Sequence, residues 1–383
     1  MPGYREKVHL VFAVNADWVF RIHFLPYARL LKKKGFRITV VASDTGDGAS
    51  IRGEGLNFLR WPLSRSGKNP FTEAFSIYSL LRLYRVLKPD LVHHIGVKAV
   101  CYGSAVSRLL GIPAVHMFIG LGFAFRNNQG RTPRLLLQPW LRRLKGDRGC
   151  VLVYQNEADR AYGLAHGWGT EERSFVVGGV GVELDRFSFE QEPPTPPHVV
   201  LLGSRMLWDK GIGEFVEAAR SLKKSWGSRA RFVLAGGSDT ENPAAVPRRT
   251  LESWHREGVV EWLGFCHNMA QRLREAHVVA LPSYYGEGVP KILLEAAASG
   301  RAAVTTDWPG CRDTVQHRET GLLVAPRDPR GLAEAIAYLL EHPEERQRMG
   351  KNARKRAERQ FSVEQFAKKM TGIYGRMLHR AGA

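Results

Sequence analysis

A chain of 383 residues, 44% hydrophobic and 24% charged, has length for roughly two to three domains and apolar material for full cores, which excludes a disordered or fibrous protein. Fifty-six lysines and arginines against 37 aspartates and glutamates leave a formal charge of +19, so the partners to expect are anionic: nucleic acid, a phosphorylated substrate or an acidic membrane surface. Four cysteines, at 101, 150, 266 and 311, form no paired or metal-type spacing, which argues for reduced thiols in a cytoplasmic protein.

Met1-Pro2-Gly3-Tyr4-Arg5-Glu6-Lys7 leads straight into apolar Val8-His9-Leu10-Val11-Phe12-Ala13, without the longer apolar region and cleavage site of a signal peptide. Strands are expected at 9–14, 37–42, 57–61, 91–95, 114–118, 151–154 and 174–177. They are unpatterned and rich in Val and Ile, as strands buried on both faces of a parallel sheet must be. Helical stretches at 26–34, 75–87 and 99–110 stop at Gly35, Pro89 and Gly111. The most apolar region, 95–125, is broken by Lys98, Arg108, Gly111 and Pro113, so nothing approaches the ~20 residues that span a bilayer.

Segment 131–145 aligns Leu135, Leu136, Leu137, Trp140, Leu141 and Leu144, flanked by Arg134, Arg142, Arg143 and Lys145. Two readings stand: a helix lying in a membrane interface, or a core-facing helix with a solvated basic side. Glu192-Pro193-Pro194-Thr195-Pro196-Pro197 fits neither helix nor central strand and reads as an interdomain linker. The alternation then restarts, with strands at 199–202, 231–235, 259–263, 278–281, 303–306 and 322–325 and helices at 213–224, 269–276, 291–299 and 330–340. This predicts two doubly wound α/β halves, each binding its ligand at the carboxyl ends of the strands. From Glu344 onward the chain is helical and very basic, interrupted at Phe361-Ser362, and composition assigns the last helix to neither half.

The dinucleotide fingerprint is absent: Gly120-Leu121-Gly122 has Phe125, and Gly211-Ile212-Gly213 has Val216, where the third glycine belongs. Nor is there a P-loop, a nucleophile elbow or a D-x-D pair, so no metal ligands are assigned. In Ser204-Arg205-Met206-Leu207-Trp208-Asp209-Lys210-Gly211, two cations five residues apart follow a strand. They are either a metal-free diphosphate clamp or solvated loop charges. In the run 282–296 a strand gives way to a Gly-rich turn with Glu287 and Gly288, then a helix with Val289 and Pro290 at its start. Backbone N–H groups at that positive helix end suit a phosphate; each glutamate alone reads as a surface charge, but beside the clamp Glu287 and Glu295 suit sugar hydroxyls.

Arg205, Lys210 and the pair Glu287/Glu295, with seven residues between, resemble the donor site of retaining glycosyltransferases of family four, which have the GT-B fold. The resemblance spans essentially the whole chain. Gly178-Gly179-Val180-Gly181-Val182 with Phe187 resembles the family's G-V-D-x-x-x-F junction, with Glu183 near the usual Asp. Pro309-Gly310-Cys311-Arg312-Asp313 and Thr320-Gly321-Leu322-Leu323-Val324 resemble its late signatures. Asn15-Ala16-Asp17-Trp18, Gly120-Leu121-Gly122-Phe123 and Tyr154-Gln155-Asn156 resemble more narrowly the bacterial enzymes that extend undecaprenyl-diphosphate-linked sugars with an N-acetylhexosamine.

The resemblance implies an α/β GT-B protein, two Rossmann-like doubly wound domains facing across a cleft. The acceptor-side domain would be 1–191, with helix 362–383 packing back on it, and the nucleotide-sugar domain 192–361. Arg205 and Lys210 would hold the donor diphosphate and stabilise the leaving group, Glu287 would contact the sugar and Glu295 the ribose. Asn15, Trp18, Gly120 and Gly122 would lie on the acceptor side, where His116 is either a catalytic contact or a structural histidine. The implied partners are a UDP-linked sugar, a lipid-linked saccharide and an anionic membrane surface, at the inner face of the plasma membrane in O-antigen or related assembly. No cofactor and no nucleic acid are implied. With such an acceptor, membrane contact by Leu136, Trp140, Leu141, Arg142 and Arg143 is the favoured reading of their helix. A nucleotide-sugar 2-epimerase would share the architecture but need acid–base groups around the sugar. A nucleic-acid-binding protein would share the charge, but no helix-turn-helix, zinc finger or RNP motif supports it.

Overall fold

The computed structural model describes residues 8–63, 69–121, 131–239 and 242–381, with side chains for all of these except 131–136 and 380–381. They form two compact units, one of residues up to Val180 together with those from Val363, the other Gly181–Ser362.

In the first unit, strands β1 (His9–Val14), β2 (Arg37–Ala42), β3 (Asn57–Arg60), β4 (Leu91–Ile95), β5 (Ala114–Phe118), β6 (Cys150–Tyr154) and β7 (Ser174–Val176) make one parallel sheet. Its order is β3-β2-β1-β4-β5-β6-β7. Side chains alternate across a strand, so Leu10, Phe12 and Val14 of β1 feed one core while Val11 and Ala13 feed the other. That double burial is why the run carries no polar alternation.

The second unit repeats the plan with β8 (His198–Gly203), β9 (Ala230–Ala235), β10 (Glu261–Trp262), β11 (Val278–Leu281), β12 (Ala302–Thr306) and β13 (Gly321–Val324), in the order β10-β9-β8-β11-β12-β13. The expected strand 259–263 shrinks to two residues because β10 is an edge strand paired with β9 alone. Helix Pro70–Leu87 begins five residues before the expected 75, at an Asn69 cap whose Oδ1 accepts from the Phe71 amide at 3.0 Å.

The chain passes between the units before and after Gly181–Ser362, and the two passages lie side by side: the Val182 amide donates to the Phe361 carbonyl at 2.9 Å. Helix Val363–Ala381 then buries Val363, Phe366, Met370, Tyr374 and Met377 in the first unit's core. The Tyr374 hydroxyl sits 2.6 Å from His93 Nδ1 on β4.

The Pro-rich run is not where the chain changes units. The segment before it already packs with the second core through Val182 and Phe187. The Arg346 guanidinium, 2% exposed, grips the Glu192 carboxylate at 2.8 Å and donates to the Leu339 carbonyl at 2.7 Å. Arg301 donates to the Glu190 carbonyl at 2.8 Å, and His277 Nε2 stands 3.1 Å from the Pro193 carbonyl. Proline excludes helix and strand here, but these polar anchors tie the run to the second unit.

Strands β4 and β5 bury a histidine chain: Tyr84 Oη lies 2.9 Å from His94 Nε2, and His94 Nδ1 lies 2.9 Å from His116 Nδ1. The two imidazoles stack with centroids 4.9 Å apart. Burial pushes His93 and His116 down to about 3 and His94 well below its ordinary value, so all three are neutral in the fold.

Two outcomes follow from these buried polar groups. Arg346→Met leaves a carboxylate without its partner and should cost about 3–5 kcal/mol in denaturant unfolding, with Arg346→Met/Glu192→Leu costing less than the single change. The histidines bind protons more readily unfolded, so their stabilisation is complete above the unfolded value of 6.5 and drains away as pH falls from there through about 3. The unfolding midpoint should decline over that window, with a shallower slope in His116→Phe.

Candidate active site

Strand order in the second unit reverses between β8 and β11, whose connections lead away in opposite directions. Loops leaving the carboxyl ends of two such strands part from each other, and doubly wound sheets bind ligand at that point. The β8 loop carries Arg205 and Lys210, and the β11 loop carries Glu287 before helix Lys291–Ala298. Gly211, at φ +76, ends the first loop so close to the second that a Cβ would collide with the Pro282 carbonyl. The Tyr284 amide then donates to the Asp209 carbonyl at 3.0 Å, and the Ser283 hydroxyl to the same carbonyl at 3.3 Å. The loops act as one frame.

Within that frame Lys210 is 8% exposed, and its ammonium meets the Glu287 carboxylate. The Ser283 hydroxyl donates to the same carboxylate at 3.3 Å, and the Tyr285 ring lies 5.0 Å from the ammonium. Arg205 is paired with Asp239 at 2.7 Å. Each cation of the expected clamp therefore has its own carboxylate partner. Burial, then the Arg205 charge, pulls the Lys210 ammonium down to about 7, while Cys311 and Asp209 pull the other way.

The late glycine motif has a physical task here. Gly310, at φ +86, lies so close to the Gly288 carbonyl that any side chain would clash, and Trp308 Nε1 donates to the Tyr285 carbonyl at 3.0 Å. Together they brace the turn that carries Glu287. Val289 is buried and Pro290 caps helix Lys291–Ala298. Glu295, 7% exposed, pairs with Lys291 at 3.1 Å rather than with the clamp cations.

In the first unit the order reverses between β1 and β4. Asn15 directly follows β1, and its Oδ1 accepts from the Ala99 amide at 3.1 Å in the first turn of helix Val97–Leu110. Trp18 is half-buried against the core beside Asp17, whose carboxylate accepts from the Thr45 and Asp47 amides at 2.9 and 2.8 Å. Gly120, at φ +110, follows β5. Gly122 lies outside the described residues.

Two open readings are decided by burial, the second against the favoured one. His116 is the middle residue of β5, fully buried, and bonded to His94. It is a core histidine. In helix Arg131–Arg142 and the turn after it, Leu141 is fully buried and Leu144 nearly so, while Leu137 and Trp140 pack against the same core. Those side chains are spent on folding, and the exposed Arg142 and Arg143 form the solvated flank, with Arg143 over the Trp140 ring at 5.7 Å. Leu136 lies among the side chains outside the description.

Sequence reasoning does not single out Asp239, Ser283 or Lys291. A signal for Asp239 exists in Gly236-Gly237, a turn at the carboxyl end of β9. Ser283 and Lys291 are visible only through the partners they meet in space.

Comparison with known proteins places the chain among glycosyltransferases in sequence and fold. The family model described as glycosyl transferases group 1 matches residues 184–356, and the one described as glycosyl transferase 4-like matches residues 9–145. The chain is 28% identical over 377 residues, 93% of its length and 96% of the relative's, to N,N'-diacetylbacillosaminyl-diphospho-undecaprenol alpha-1,3-N-acetylgalactosaminyltransferase of Campylobacter jejuni. It is 25% identical over 380 residues, 95% of its length and 96% of the relative's, to the putative glycosyltransferase EpsD of Bacillus subtilis. Among solved structures, sucrose-phosphate synthase from Thermosynechococcus elongatus superposes with a TM-score of 0.80 at 20% identity, covering 98% of this chain and 100% of that one. HepE of Anabaena in complex with UDP superposes with a TM-score of 0.77 at 16% identity, covering 96% and 100%.

If the ammonium of Lys210 is what a diphosphate meets, UDP affinity should weaken as pH rises above neutrality, well below the range where an ordinary lysine titrates. Binding should take up protons, which calorimetry in buffers of different ionisation enthalpy measures. Lys210→Arg should flatten both responses, since guanidinium stays charged.

Proposed function

The chain belongs to the group 1 glycosyltransferases of GT-B fold, and we propose that it moves an N-acetylhexosamine from a UDP-sugar to a polyprenyl-diphosphate-linked saccharide, retaining the anomeric configuration. The observation that carries this is the pairing of Arg205 and Lys210 on one braced loop beside Glu287. The near full-length likeness to an undecaprenol-dependent N-acetylgalactosaminyltransferase supports the acceptor class and a place in bacterial surface-glycan assembly such as O-antigen.

In this reading the donor diphosphate takes the place of Asp239 and Glu287 on the two cations. Glu287, released, accepts hydrogen bonds from the sugar hydroxyls, and Glu295 accepts from the ribose. The bond from the anomeric carbon to the diphosphate oxygen breaks with its electron pair going to UDP. The acceptor hydroxyl oxygen bonds to that carbon from the same face, and its proton passes to the departing diphosphate. Arg205 and Lys210 stabilise the charge growing on that oxygen, a preorganised role that operates best in a partly dehydrated site. The two side chains supply this positive charge without a metal ion or cofactor. Asn15, Trp18 and Gly120, at the carboxyl ends of the first sheet, are the proposed acceptor-side contacts. A polyprenyl tail stays in its bilayer, so the protein works at a membrane surface, on the cytoplasmic side where UDP-sugars are made.

With a UDP-N-acetylhexosamine and an undecaprenyl-diphosphate saccharide, Arg205→Ala and Lys210→Ala should each lower kcat by roughly 10²–10³-fold while circular dichroism stays unchanged. Glu287→Ala should chiefly lower kcat, whereas Glu295→Ala should raise the KM for donor and weaken UDP binding. Activity should survive EDTA, and NMR of the product should show the donor's anomeric configuration. Near-wild-type transfer by either cation variant would sink the clamp assignment.

A further inference from the structure

Helix Pro70–Leu87 is attached to the first unit by one side only. Ser76, Leu80 and Tyr84 are buried, and Ile77, Leu81, Leu83 and Leu87 pack partly against the same core. The opposite side has an unusual surface for a helix facing water. Phe71 is 85% exposed, Phe75 58%, Tyr78 54% and Val86 80%, and Arg82 and Arg85 are exposed between them. At about 100° per residue, positions 71, 75, 78, 82, 85 and 86 fall within an arc of about 100°. They make a single stripe, aromatic at the amino end and basic at the carboxyl end, and Lys88, the left-handed residue that ends the helix, adds one more exposed cation beside it.

The helix has one acid, Glu73, and that is turned aside. Its carboxylate holds Lys98 at 2.7 Å and accepts from the Tyr102 hydroxyl on helix Val97–Leu110. Arg82, Arg85 and Lys88 have no acidic partner among the described residues. One exposed apolar side chain is ordinary, but three aromatics in line with an uncompensated basic end call for a partner that is apolar just below an anionic surface. A second copy fits poorly, because a chain of net charge +19 repels itself. The same charge strengthens attraction to an anionic bilayer.

We propose that this face of helix Pro70–Leu87 is the surface by which the protein lies on anionic lipid. The Phe71, Phe75 and Tyr78 rings sit at the boundary of headgroups and acyl chains, and Arg82, Arg85 and Lys88 contact lipid phosphates. It takes the part that the sequence alone assigned to 131–145. The proposal rests on the membrane-surface reading above, and its test separates the two.

Flotation of the full chain with phosphatidylcholine vesicles, with and without phosphatidylglycerol, is the measurement. Wild type should float only with the anionic vesicles and be released by high salt. Phe71→Ser/Phe75→Ser/Tyr78→Ser should reduce partitioning by about tenfold or more. Arg82→Gln and Arg85→Gln should each reduce it about fivefold. All these side chains are exposed, so thermal unfolding and UDP affinity should stay at wild-type values. Transfer to acceptor embedded in vesicles should fall in step with partitioning, while transfer to a short-chain, water-soluble acceptor should not. If wild type floats and the triple variant floats equally well, the helix assignment is overturned and the membrane reading stands. If wild type ignores anionic vesicles at low salt, both are overturned. If the triple variant instead converts a dimer to a monomer in size-exclusion chromatography, the stripe is a self-association surface and the lipid proposal is overturned.

Discussion

A strand followed by a parallel neighbour must be re-entered from its starting end, so every crossover leaves from the carboxyl edge of the sheet and returns at the other. Both sheets obey this constraint throughout, and the placement of the chemistry depends on it. The β8 and β11 loops can touch because the strands beneath them are neighbours whose crossovers diverge. Gly211 is then required by the closeness of approach, and the Tyr284 amide and the Ser283 hydroxyl close the frame on the Asp209 carbonyl. Asn15 occupies the corresponding corner of the first sheet, tying the end of β1 to the helix that follows β4. Side chains far apart in sequence thus become adjacent through strand order alone.

The strands were legible where burial was complete. Runs such as Leu10–Val14 need no partner to be recognised, because apolar demand on both sides leaves one kind of residue. Other features were illegible for particular reasons. Proline at 193–197 says what the backbone cannot do, but not which body it lies against; that depends on Arg346, 154 residues from Glu192. His116 could be read either way because its partner, His94, is contributed by the adjacent strand. The start of helix Pro70–Leu87 was obscured by Phe71, which occupies the side where a periodicity argument expects a polar residue. Arg205, Lys210, Glu287 and Glu295 could be picked out by their resemblance to a known donor site. Their present partners could not, since Asp239 and Lys291 are recognised only by contact.

The ion pairs give the unliganded site a definite electrostatic state. A buried ammonium without a partner would be costly, and a carboxylate on the next loop removes that cost while keeping the cation in place. Under the proposed function, a diphosphate arriving there would exchange one anion for another instead of meeting bare charge. Its net gain is the difference between two charge-assisted contacts, which moderates affinity and favours release of product. Arg205, more open to water than Lys210, gives up its partner more cheaply.

Helix Val363–Ala381 bears on how the protein is made. During synthesis Gly181–Ser362 is complete before any of that helix exists, and it is one continuous segment with its own cores. The first unit is completed later: until Phe366, Met370, Tyr374 and Met377 arrive, the face of its sheet already covered by Phe20, Tyr27 and Leu31 lacks the rest of its cover, and His93 lacks a hydroxyl. The usual amino-to-carboxyl order of domain completion is therefore inverted. The first unit is thus a discontinuous fold: its sheet is made early and its last covering helix is made after every residue of the second unit.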